Sequence, residues 1–129
     1  MTFFADEEFR CKCARATCDA AKTPHRLLLM YLERMREMYG GPLVVTSGNR
    51  CAPWNLQQGG QAVSEHVQPE GCLGCDLACP TSGQRWRMLD AARQAGLVRI
   101  GIYPKHLHVG VGEAPAFPVN VVWLGSYRA

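Results

Sequence analysis

The chain has 129 residues and a formal net charge of +3, with 47% hydrophobic and 19% charged residues and a mean hydropathy of −0.13. That length predicts one domain over residues 1–129, burying roughly two thirds of the unfolded chain's surface around a single core. No apolar run approaches the ~20 residues of a membrane span. No Lys/Arg stripe marks a nucleic-acid binder, and the mild positive charge suits some other anionic partner.

The first residues, MTFFADEEFR, are acidic and lack the basic-then-apolar order of a secretory signal, which predicts synthesis in the cytoplasm without a signal peptide. Residues 1–22 read as an irregular arm carrying Cys11, Cys13 and Cys18. A helix follows, with Thr23 as N-cap, Pro24 at the first helical position and Gly40-Gly41 as its stop. Leu28, Tyr31, Leu32, Met35 and Met38 recur at three- and four-residue spacing and predict one buried stripe. His25, in the first turn, reads as surface.

Residues 42–50, PLVVTSGNR, read as a buried strand running into a turn at Ser47-Gly48-Asn49, and residues 51–63 as a loop. A short strand is expected at 74–78. A second helix over 83–95 takes Ser82 or Thr81 as its cap and stops at Gly96. Three β-like segments close the chain, at 97–104, 106–112 and 119–125. The middle one alternates, placing His106, His108 and Gly110 on one face and Leu107, Val109 and Val111 on the other. Helices before and between late, adjacent strands predict an α+β fold, a small antiparallel sheet with flanking helices.

The chemistry concentrates in the stretch 64-SEHVQPEGCLGCDLAC-79 and in 106-HLH-108. Two histidines at i and i+2 on a strand project side by side, so one face can carry both a metal ligand and a neighbouring catalytic group. Read alone, the pattern fits an exposed polar edge strand as well. The seven cysteines are an odd number, so they cannot all pair into disulfides within the chain. Without a signal peptide, clustered cysteines favour metal over disulfide. Cys11, Cys13, Cys18, Cys51, Cys72, Cys75 and Cys79 are therefore candidates for a structural metal or for disulfide staples, and the spacing does not choose between these.

In order, the chain presents 47-SGNR-50, Asn55, 59-GG-60, 64-SEH-66, 76-DL-77 and 100-IGIYPKHLHV-109. This order resembles the zinc D-alanyl-D-alanine carboxypeptidase family (M15 type) and its phage endolysin relatives, which share a fold with the hedgehog signalling domain. The family pattern is an SGxR turn, then SxHxxGxAxD, then a last strand with HxH or a lone His. The resemblance covers residues 24–112, and the FxCxC arm is similar to that of small phage-encoded members.

The resemblance implies a zinc metallopeptidase with one catalytic Zn2+ held by His66, Asp76 and His108; a second, structural zinc is one reading of the cysteines, apart from the resemblance. Three protein ligands and one open position are what a hydrolytic zinc uses. It further implies catalytic roles for His106, as oxyanion stabiliser or proton shuttle, and for Arg50, whose planar fork would hold a substrate carboxylate or carbonyl. Ser64 would order the loop through a side-chain-to-backbone hydrogen bond. The implied substrate is peptidoglycan peptide, cleaved as a D-Ala-type carboxypeptidase or endopeptidase. The protein would act at the cell wall or in the periplasm after release, or as part of a bacteriophage virion together with tail proteins. The alternative is a catalytically weak or inactive zinc-binding virion component that docks on cell wall.

Two departures from the pattern are visible. Asp76 stands ten residues after His66 where the family has seven, and the insertion brings Cys72 and Cys75 as alternative zinc donors. The positions at which relatives carry the carboxylate base are Lys105 and Gly110 here, and Glu65, Glu70 and Glu113 are the nearest acids in sequence.

Overall fold

The computed structural model describes residues 2–112 and 116–125. A 3-10 helix, Asp6–Phe9, precedes α1 (Arg26–Tyr39), β1 (Val45–Ser47), α2 (Ala52–Gln57), β2 (Gly74–Ala78), α3 (Ser82–Ala95), β3 (Arg99–Ile102), β4 (His106–Gly110) and β5 (Val121–Leu124). The five strands form one sheet in the order β1-β2-β4-β3-β5. The fold is α+β, as the alternation of elements predicts. The sheet is mixed, because β5 pairs parallel to β3 while the other pairings are antiparallel.

Helix α1 begins later than the Thr23/Pro24 punctuation predicts. His25 is the N-cap, its Nδ1 accepting from the Leu27 N–H at 3.1 Å. Its own N–H donates to the Cys72 carbonyl at 3.1 Å, and the Thr23 carbonyl accepts from the Asn49 side chain at 3.0 Å. Tertiary partners therefore take the groups that a cap at Thr23 would use. Gly40, at φ 76°, closes the helix in the left-handed conformation. The buried stripe is Leu28, Leu32 and Met35, with Tyr31 partly buried; Met38, expected to belong to it, is 47% exposed. Helix α3 begins where expected, with Thr81 Oγ1 accepting from the Gln84 N–H at 3.2 Å, and ends at Gly96.

The core lies between these two helices and one face of the sheet, where Cys75, Leu77, Ile100, Leu107 and Val109 meet Leu28, Leu32, Met35, Met88 and Ala92. Each such aliphatic side chain stabilises the fold by roughly 1.5–3 kcal/mol on full burial. The opposite sheet face is left for polar chemistry. Residues 51–63 are not wholly loop: Pro53 sits in the first turn of α2, where its missing N–H costs nothing. The arm is anchored as well, with Phe4 and Phe9 in the core and the Phe9 carbonyl accepting from the Asn49 N–H at 2.8 Å.

Candidate functional site

Strand register brings the first two polar groups together. In the β2–β4 pairing Asp76 lies directly opposite His108, and on β1 Ser47 pairs with Asp76. Because side chains alternate, Asp76, His106 and His108 share the face away from the helices, while Cys75, Leu107 and Val109 point into the core. His66 comes from the preceding loop, which is laced to the SGNR turn. The Arg50 N–H donates to the His66 carbonyl at 2.9 Å, His66 Nδ1 meets the Gly48 carbonyl at 2.7 Å, and the His66 N–H donates to Ser64 Oγ at 3.1 Å.

Asp76 Oδ1 stands 3.0 Å from His108 Nδ1 and 3.4 Å from His66 Nε2. One donor atom from each of the three residues lies within 4.8 Å of the others, and all three residues are buried. A tetrahedral ion with bonds of about 2.0–2.2 Å requires ligand atoms about 3.3–3.6 Å apart. The spacing fits zinc with little adjustment. The remote ring nitrogens fit too. A carbonyl opposite His66 Nδ1 and the Glu65 carboxylate opposite His108 Nε2, at 3.0 Å, leave Nε2 and Nδ1 facing Asp76.

Burial opposes charge on His108, yet hydrogen bonds to Asp76 and Glu65 outweigh it and raise its pKa to about 9. Burial would raise the Asp76 carboxyl, but its hydrogen bonds to His108 and His66 hold it well below the ordinary value. His66 is pushed down by burial and is neutral at neutral pH. Without metal the site is thus an imidazolium clamped between two carboxylates, a positive charge where a cation would sit.

Arg50 spends three donors on this frame: Nε to Ser47 Oγ at 2.9 Å, Nη1 to Asn55 Oδ1 at 3.0 Å and Nη2 to Asp76 Oδ2 at 3.1 Å. His106 is stacked on Tyr103, ring centroids 4.3 Å apart, with Nε2 3.8 Å from Asp76 Oδ2. Burial lowers its pKa. A cleft of about 960 Å3 covers the group, walled by Gln58, Gly60, Tyr103, Lys105, Phe117 and Trp123.

Glu65 has a place its sequence position does not announce. It is buried, bridges His108 Nε2 and Arg99 Nε at 2.9 Å, and occupies the space that a Cβ on Gly110 would fill. Gly110 is one of the two positions at which relatives carry the base. Glu70 is exposed, and Glu113 lies outside the described residues. The insertion after His66 folds inward: Gly71, at φ 111°, packs against the backbone of residues 23–25, and Cys72 donates its N–H to Asn49 Oδ1 at 2.7 Å. Cys72, Cys75 and Cys79 are all buried among the core residues. Cys75 points to the core face of β2, and the donor group that gathers here is His66, Asp76 and His108 without either thiol, so Asp76 and not Cys72 or Cys75 stands at the site. Cys11, Cys13, Cys18 and Cys51 form a separate group.

The α+β sheet with a buried His/Asp/His set beneath an open cleft is the arrangement of a metal-dependent hydrolase. The Peptidase M15 family model matches residues 2–111, and the chain belongs to that family of zinc-dependent peptidases. The match takes in the N-terminal arm as well as the motifs from Pro24 onward. No curated protein matches the sequence. Among the described residues no helix is long and apolar enough to cross a membrane.

Proposed function

We propose that this protein is a zinc peptidase that hydrolyses peptide bonds of peptidoglycan, at linkages involving D-alanine, and that it derives from a phage or prophage. The observation that carries the reading is the His66/Asp76/His108 set, with donor atoms at zinc-ligand spacing and both remote ring nitrogens already engaged. The chemistry zinc supplies in such a set is Lewis acidity, polarising the scissile carbonyl and making water acidic near neutral pH.

The chain's own groups do the rest. Arg50 keeps Asp76 oriented through Oδ2 and, with two donors beyond its three internal bonds, binds the carboxylate or carbonyl of the stem peptide. His106 enters the reaction neutral, because burial lowers its pKa, and accepts a proton at Nε2 as water attacks. It then returns that proton to the departing amine. Glu65 is a positioning residue, since Arg99 and His108 both engage its Oε1 and the Gly112 N–H reaches Oε2 at 3.5 Å. The protein would act at the cell wall after release, or from within a virion.

Lys105 and Gly110 at the positions of the usual base favour a second reading, a zinc-binding wall-docking component that does not hydrolyse. Incubating the zinc-loaded protein with purified peptidoglycan separates the two. New amines that disappear with His108→Ala support the peptidase; retention on the wall with no amine released at any pH selects the docking component.

A further inference from the structure

Three cysteines of the arm, at 11, 13 and 18, and one distant in sequence, the residue that follows Arg50, come together in space. One sulfur from each of Cys11, Cys13, Cys18 and Cys51 lies within 4.8 Å of the others. The Cys11 and Cys51 sulfurs are 3.8 Å apart, close to twice the ~2.05 Å of a disulfide. A tetrahedral zinc with Zn–S bonds of about 2.3 Å requires sulfurs about 3.8 Å apart. The Cys51 N–H donates to Cys11 Sγ at 3.4 Å, a backbone bond of the kind that steadies a thiolate ligand.

We propose that Cys11, Cys13, Cys18 and Cys51 form a second metal site, a closed tetrathiolate that takes zinc and has a structural role. Four thiolates fill a tetrahedral shell and leave no position for water, so the site is not hydrolytic. Each thiol gives up its proton on binding, and the resulting −2 charge is offset in part by Lys12, Arg15 and Arg50, adjacent in sequence to ligands or between them. The consequence for the other centre follows from connectivity. Cys51 is the N-cap of α2 and neighbours Arg50, which holds Asp76. The arm already meets the same turn through the Phe9 carbonyl and Asn49, and meets β1 through Lys12 Nζ and the Thr46 carbonyl at 2.6 Å. A metal at the four sulfurs fixes the arm to the turn that carries Arg50.

The test is cobalt(II) substitution of the full chain, purified with a phosphine reductant so that all thiols are available. Wild type is expected to show the intense sulfur-to-cobalt charge-transfer absorption and tetrahedral visible bands of a thiolate site, and to bind about two zinc ions per chain. The charge-transfer band is expected to persist in His66→Ala/His108→Ala and to vanish in Cys13→Ser/Cys18→Ser, each variant keeping about one ion. A wild type with reduced thiols and no charge-transfer band overturns the proposal without reference to any variant's folding. So does a band that survives in the double-serine variant. Neither result bears on whether the histidine site hydrolyses peptides.

Discussion

Glu65 Oε1 lies 3.0 Å from His108 Nε2, on the opposite side of the ring from Asp76. A carboxylate there fixes the ring's tautomer and raises its basicity toward a metal. Glu65→Gln keeps the shape and weakens that effect, so zinc affinity is expected to fall about 10–100-fold, read by chelator competition. Gly110→Ala should have a similar effect through sterics alone, because its methyl group would occupy the place of the Glu65 carboxylate. Unchanged affinity in both variants would show that Glu65 does not support the site.

Metal-free protein should lose stability as pH rises from 6.5 toward 9. His108 has its folded pKa raised to about 9. Its contribution is therefore full below the unfolded value of about 6.5 and disappears as pH climbs through about 9. Zinc binds the neutral ring and removes that dependence. Thermal melts across this range, with and without zinc, give the comparison; parallel curves would contradict the electrostatic picture.

His106→Phe preserves an aromatic ring against Tyr103 but has no proton acceptor. It should lower kcat by about 10²–10⁴-fold with bound zinc unchanged. In the wild type the active form is neutral His106, whose pKa lies below the usual 6.5, so kcat should fall with acid only below that pH. A kcat–pH profile with the same acid limb in His106→Phe would assign it to another group.

Arg50→Lys keeps the charge but loses the planar fork that spans Ser47, Asn55 and Asp76. The expected result is a kcat/KM at least about tenfold lower on stem peptides, mostly through KM, with an unchanged fold by circular dichroism. An unaltered KM would remove Arg50 from substrate binding.

Local signals made α1, α3 and the alternating 106–110 strand readable, because caps, helical spacing and period-2 alternation are properties of adjacent residues. Helix α2 was not readable, since Ala52-Pro53-Trp54-Asn55 has weak propensity and is short. The parallel pairing of β5 with β3 depends on distant register, and Met38 follows its helix's period yet falls beyond the packed face. At the site, HxH and the ordered motifs pointed to the residues that converge. Glu65 was legible only as a nearby acid. The lone Arg99 in an otherwise apolar strand was the one cue to its buried partner. Spacing already separates Cys11, Cys13 and Cys18 from Cys72, Cys75 and Cys79; that Cys51 joins the first trio while the second is buried in the core rests on chain folding.

Amine release from peptidoglycan, followed as zinc is returned to metal-free protein, tests the catalytic assignment most directly. Release should be absent without metal, rise to saturation with added zinc, and stay absent in Asp76→Asn at every zinc concentration that restores the wild type. Release by the metal-free protein, or full recovery in Asp76→Asn, would contradict it.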